Sequence, residues 1–255
     1  MRRSSLVLVL LLILPTLGWA ASDREFHWKG HVDPEKTVTI KALNGSVEVT
    51  GTDGSEVEVT AEKGGPHSDQ MQVQVIPSGD GLLICETYRY EGDSSDTCGE
   101  GSHGHSHGQT PHVNYEVKIP RNLRLHASSV NGSVTAERIG RRADVSSVNG
   151  AVRVSTSEWA KASTVNGSVT ASFGKADWDH LKLSSVNGSI RLTLPADTNT
   201  EVRFRSVNGD LESDFPVTIL GRMSKHSMEG KIGNGGRDLE LSTVNGSVEL
   251  HKGTM

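Results

Sequence analysis

The sequence predicts an all-β chain, a parallel β-helix or β-solenoid built from repeated strand–Asn-Gly–strand units, with a more irregular β region in front of it. Three observations carry this. An apolar–Asn–Gly phrase recurs along the chain, the residues on either side of it alternate with period two, and no segment shows a helical period.

The phrase stands at Leu43-Asn44-Gly45, Val130-Asn131-Gly132, Val148-Asn149-Gly150 and Val165-Asn166-Gly167. It returns at Val186-Asn187-Gly188, Val207-Asn208-Gly209 and Val244-Asn245-Gly246, and Met228-Glu229-Gly230 reads as a decayed copy. From Asn131 onward the spacings are 18, 17, 21, 21, 21 and 16 residues, the period of a supersecondary unit. Before Asn187 sit Leu181, Leu183 and Ser185, and after it Ile190, Leu192 and Leu194. Each copy is therefore strand, corner, strand, with glycine supplying a positive φ that asparagine also tolerates.

Two architectures use such a unit. Asn-Gly between alternating strands is a strong hairpin signal. In a solenoid each corner instead bends the chain, and hydrogen bonds join successive coils. The residue before Asn favours the solenoid, because it is Leu, Val or Met in all eight copies. Its apolar character predicts burial at the corner, stacked on its equivalents. Coils about 4.8 Å apart would let the asparagine amides bond along the stack.

Taken in order, the chain opens Met1-Arg2-Arg3, runs apolar from Leu6 to Leu17 and reaches small residues at Gly18 and Ala20. This is the pattern of a secretory signal peptide over 1–20, too short for a membrane anchor, so an exported chain without a transmembrane segment is expected. Its loss removes two arginines and no acid, leaving 24 basic and 31 acidic residues, net −7, a balance that argues against nucleic-acid binding. Residues 21–35 are a polar lead-in, 36–122 an N-terminal β region, 123–251 the regular repeats and 252–255 a tail. Cys85 and Cys98 are the only cysteines, and in an exported protein a pair reads as a disulfide. Cys98 lies in the polar stretch 91–112, EGDSSDTCGEGSHGHSHGQTPH, which reads as a surface loop.

The repeated S-V-N-G-S-V phrases resemble a known bacterial family. So do the early strand–Asn-Gly–strand unit followed by Gly51-Thr52-Asp53-Gly54, and the Val-x-Tyr-x-Val-x-Ile-Pro strand at 113–120. Together they resemble the β-strand-repeat domain-of-unknown-function family 4097 over most of residues 36–251. The resemblance implies an exported or envelope-associated β-solenoid with no established catalytic residues, of a kind often labelled an adhesin. The histidine-rich insertion is not part of that pattern.

Three sets of side chains are candidates for function. His103, His105, His107 and His112 could gather a divalent Zn, Cu or Ni ion, although the alternating spacing matches no tetrahedral structural site. Lys161, Lys182 and Arg203 occupy one outward position on what the sequence makes successive coils, with Arg205 nearby, and would form a stripe for an acidic polymer. Glu212 and Asp214, with Glu249 placed two coils away, are carboxylates to weigh for glycoside chemistry, and Trp159 and Trp178 are possible sugar platforms. The expected function is a non-catalytic, adhesin-like envelope module, periplasmic or extracellular, that binds an envelope protein or glycan and carries no cofactor. The alternatives are a metal-binding periplasmic protein using the histidine loop and a carbohydrate-active enzyme on a β-helix scaffold. The terminal coil at Leu239–Leu250 is the expected edge for self-association.

Overall fold

The computed structural model describes residues 24–88, 98, 111–174, 178, 180–221, 224 and 226–253. The leader 1–20 and His103, His105 and His107 lie outside them. The N-terminal strands are β1 (Glu25–His31), β2 (Thr37–Asn44), β3 (Val47–Thr52), β4 (Glu56–Gly64), β5 (Met71–Ser78), β6 (Gly81–Tyr88) and β7 (His112–Pro120). Next come the coils β8 (Arg124–Asn131) with β9 (Val134–Ile139), β10 (Ala143–Asn149) with β11 (Val152–Thr156), and β12 (Ala160–Asn166) with β13 (Val169–Phe173). The coil β14 (His180–Asn187) with β15 (Ile190–Pro195) follows, then β16 (Thr200–Asn208) with β17 (Leu211–Ser213). The chain ends with β18 (Val217–Ile219), β19 (Ser227–Ile232), β20 (Arg237–Asn245) and β21 (Val248–Gly253).

These strands form two large, mostly parallel sheets. The first runs β1-β4-β7-β3-β9-β11-β13-β15-β21-β17 and the second β18-β19-β16-β20-β14-β12-β10-β8-β2-β6-β5. Each Asn-Gly corner carries the chain from the second sheet to the first, and main-chain bonds join neighbouring corners: Gly132 N–H donates to Asn149 O at 3.1 Å and Gly150 N–H to Asn166 O at 3.0 Å. A type I′ hairpin would instead pair the two strands flanking each corner. Those strands lie in different sheets, so the units are stacked coils. Alternate residues such as Val145, Leu183, Val154 and Leu192 meet between the sheets, where small and branched side chains fill the core.

The corner works differently from the sequence expectation in two respects. Val130, Val148, Val165, Val186 and Val244 are 38–40% exposed, and Val207 is 53% exposed. They point outward rather than into the corner. The register aligns each with the apolar residue of the neighbouring corners, Leu43 beside Val130 and valines thereafter, and Val207, at the end of the row, has a neighbour on one side. Stacking along the ridge accounts for the burial they have, and a β-branched residue suits the extended backbone. The glycines, too, serve mainly close approach. Gly132, Gly150 and Gly209 lie outside the glycine-favouring region, while Gly45 at +124° and, toward its extended limit, Gly246 at +153°, Gly167 at +158° and Gly188 at +159° lie within it. At the six corners after Gly45, an added Cβ would fall 1.9–2.4 Å from the carbonyl oxygen of the neighbouring corner's glycine.

Two side-chain ladders run along the corners. Asn131 Nδ2 donates to Asn44 Oδ1 at 2.8 Å, and the series continues through Asn149, Asn166, Asn187 and Asn245 to Asn208 with donor–acceptor distances of 2.8–2.9 Å. Inside it, Ser129, Ser147, Thr164, Ser185 and Thr243 donate their hydroxyls to the neighbouring corner glycine's carbonyl at 2.8–3.1 Å. Asn166 makes two ladder bonds and Asn208, at the end, makes one. Asn166→Ala is therefore expected to lose about 1–2 kcal/mol and Asn208→Ala about half that, since an intramolecular hydrogen bond contributes about 1 kcal/mol net. Equal losses in urea unfolding would show that the ladder adds nothing beyond each corner's own conformation.

Chain order and stacking order diverge at the C-terminal end. The β20–β21 coil is interior: β20 pairs in parallel with β14 on one side and β16 on the other, and β21 lies between β15 and β17. The expected self-associating edge at Leu239–Leu250 is thus covered on both sides. Met228-Glu229-Gly230 is not a corner. It lies within β19, which runs antiparallel to β16 with Phe204 opposite Met228. The gap from Asn208 to Asn245 holds the β18–β19 hairpin rather than a decayed coil.

The other end is capped on the first sheet by antiparallel β4 and β1, and on the second by β6, which runs parallel to β2, with β5 antiparallel beside it. The lead-in therefore contains a strand, β1, whose Phe26 and Trp28 pack against the core. The N-terminal region also joins the repeat stack, since β2 pairs with β8 and Asn44 opens the amide ladder. Cys85 and Cys98 form the expected disulfide, with a Cα–Cα distance of 5.8 Å. Beside it Glu86 is buried, accepting the Leu43 N–H on one oxygen and the Tyr115 hydroxyl on the other at 2.7 Å. Burial pushes its carboxyl above the ordinary range, against the pull of these bonds.

Candidate binding surface

The register turns the outer side of the second sheet into rows. Strand alternation points every second residue outward, and in-register parallel pairing lines up equivalents. Next to the valine ridge stand Ser128, Ser146, Ser163, Ser184 and Ser242, each opposite the next along the stack. The following row reads Thr39, His126, Asp144, Lys161, Lys182, Glu240, Arg203. The outer side is thus an apolar ridge, a hydroxyl row and a charged row on a stiff support.

The proposed basic stripe is broken by the inserted coil. Glu240 stands between Lys182 and Arg203, and Lys182 Nζ lies 3.1 Å from its Oε1. Lys161 pairs with Asp144 at 3.5 Å and Arg203 with Asp238 at 3.1 Å. Arg205 lies in the hydroxyl row, opposite Ser242. Lys161 and Lys182 are the one like-charged pair that stands together, and the acids on either side, Asp144 and Glu240, each hold one of them, so the row carries no extended field of one sign to attract a polyanion.

At the β2–β8 end an open cleft of about 660 Å³ is lined by Lys36, Thr37, Thr39, Arg124 and His126, with Pro34, Glu35 and Asp80 at its rim. Lys36 Nζ donates to Gly79 O at 2.8 Å, and Arg141 holds Glu35 at 3.3 Å. Among the described residues Arg124 makes no side-chain hydrogen bond or ion pair, which leaves its guanidinium open to a carboxylate or similar group.

The carboxylates weighed for catalysis are engaged elsewhere. Glu212 and Glu249 sit opposite one another on adjacent strands, not two coils apart. Glu249 is held by Arg191 at 2.8 Å and by His251 Nε2 at 3.3 Å, and Asp214 accepts from Lys252 N–H and His251 Nδ1 at 3.2 Å each. Hydrogen bonds from Arg191 to Glu249 and from the Lys252 N–H to Asp214, with His251 second in both cases, hold both carboxyls below their ordinary values. A general acid needs the opposite displacement. Trp178 is buried against Phe173, and Trp159 lies beneath the Arg142 guanidinium, so neither adjoins these acids as a platform. The described residues contain no cluster of three or more His, Cys, Asp or Glu side chains able to hold a metal ion, and His112 lies in β7 with its ring against Gly64.

His251 itself is pushed up by its bonds to Glu249 and Asp214. A raised folded-state value means that protonated His251 stabilises fully below pH about 6.5 and loses that contribution as pH rises through the raised value. An NMR titration is expected to place its midpoint above 6.5, moving down in Asp214→Asn. A midpoint indifferent to that substitution would remove Asp214 from the account.

The described residues contain no helix long and apolar enough to cross a membrane. No curated protein matches the chain. Among solved structures it is similar to a candidate cell adhesion protein from Clostridium sporogenes ATCC 15579, at 8% identity and TM-score 0.55, over 90% of this chain and 100% of the other. A candidate adhesin from Bacteroides fragilis NCTC 9343 matches at 12% identity over 90% and 98% of the chains, but its TM-score of 0.32 carries no weight for the fold. The family model described as Toastrack DUF4097 matches residues 30–251, the span from the first cap strand to the last coil, and the chain belongs to that family.

Proposed function

We propose that this protein is an exported, non-catalytic binding module of the bacterial cell envelope, adhesin-like in that a stiff coil stack presents a surface to an envelope protein or glycan. The observation that carries the reading is the outer side of the second sheet, where ladders on the corners hold an apolar ridge, a serine row and a polar cleft in fixed register. Repetition of that kind costs nothing to a purely structural core, yet it leaves a broad uncharged band on the outside. The committed carboxylates at Glu249 and Asp214 favour binding over hydrolysis. Export follows the leader pattern over 1–20 and suits the disulfide.

The processed chain, residues 21–255, immobilised and exposed to solubilised envelope protein and purified envelope glycan, is expected to retain one of them. Arginines at Ser146 and Ser163 should abolish retention if the partner lies on the rows, and Arg124→Ala if it enters the cleft. Retention equal in all variants, or none in the parent, would contradict the proposal.

A further inference from the structure

We propose that β5 is a dimerisation edge, through which two copies of this chain pair as antiparallel strands about a two-fold axis. An unpaired strand edge exposes main-chain donors and acceptors to any other strand, and proteins guard against this by shortening, charging or capping their edges. Three of the four sheet edges here are guarded. β1 carries Glu25, His27, Lys29 and His31, while β17 and β18 are three residues each, and Asp214 caps the main chain beyond β17. The fourth is β5, eight residues reading MQVQVIPS with no charge among them. It ends the second sheet, and among the described residues β6 is the strand it pairs with. Lys63 touches this strand at Met71 O, and Pro77 blocks its far end.

The strand's own pattern points to a second copy as the occupant. About Gln74 it reads alike for one residue in each direction, Val73 and Val75, and beyond them Gln72 on one side answers Ile76 on the other. Antiparallel pairing there sets Val73 opposite Val75 of the second copy, and Gln74 opposite Gln74. Val73 and Val75 are only partly buried at the end of the core, and Ile76 is 37% exposed. Pairing would continue both the sheet and the apolar layer across the axis, an isologous contact that closes on itself. A neutral edge offers nothing for a charged partner to read, whereas a strand of the same alternation fits it, and the chain supplies one.

Light scattering on residues 21–255 is expected to show the mass rising from one chain to two with concentration, with hydrogen-exchange protection of β5 rising in step. Gln72→Lys with Gln74→Lys sets like charges directly opposite at 74 and diagonally beside them at 72, and should stay at one chain. Gln72→Glu with Gln74→Glu should do the same, and a mixture of the two variants should regain the two-chain mass. Ile76→Lys tests the edge without disturbing the bond from Gln74 to Thr87. A parent of one chain at every concentration would overturn the proposal, and so would lysine variants that associate like the parent. Protection in the single chain of the β5 amides that face away from β6 would also overturn it, since residues of the same chain, 89–111 among them, would then cover the edge.

Discussion

Replacing Gly150 by alanine is expected to destabilise the protein by about 3 kcal/mol or more, although alanine is the mildest substitution available. The new Cβ would fall 2.1 Å from Gly132 O and 2.5 Å from its carbon, distances no packed structure tolerates. Gly150 has an ordinary φ, so backbone strain contributes nothing and contact is the whole cause. Relief would require the two corners to separate. That lengthens the bonds from Gly132 N–H to Asn149 O and from Asn149 to Asn131, which hold the same two coils together. Gly174→Ala is the control, because nothing lies within 4 Å of its added Cβ and the change should stay within about 0.5 kcal/mol. Urea unfolding of both variants checks the claim, and similar midpoints would mean that the corners can spread freely.

Ending the chain at Gly236 should unfold far more than the coil it removes. If coils stacked in chain order, deleting the last would expose one neighbour. Here it takes out β20 and β21, which separate β14–β15 from β16–β17, and so strips two interfaces at once. The gap does not close well, because direct pairing of β16 on β14 would bring Arg203 beside Lys182 where Glu240 now stands between them. Hydrogen exchange is expected to show β16 to β19 unprotected in the truncated chain, with β8 to β13 still protected. In a quasi-one-dimensional stack distant coils stabilise one another only through those between. Protection persisting in β16 would mean that the coil re-docks and that the insertion is not required.

The corners were legible because their physics is local. Close approach of main chains, 17 to 21 residues apart from Asn131 to Asn208, demands glycine, an amide ladder demands asparagine, and both recur at readable positions. Two inferences about those corners reached the right architecture or site by the wrong cause. The valines were read as buried because they are apolar, yet they earn partial burial sideways from their own row. The glycines were read as supplying a positive φ, which Gly45, Gly167, Gly188 and Gly246 do, but the demand common to all seven corners is close approach of main chains.

By itself, then, the sequence determined the all-β class, the coil unit, the corner residues and the cysteine pair, since each follows from conformational limits acting within a unit or on its repetition. Only the tertiary structure decided which coil lies beside which. Each corner can stack on any other, so nothing in a single copy records that Asn245 falls between Asn187 and Asn208. That order set the charged row, dissolved the basic stripe, covered the expected terminal edge and left β5 as the long unguarded one. Neighbour identity is a property of the assembled stack, set by long-range strand pairing that no single copy contains.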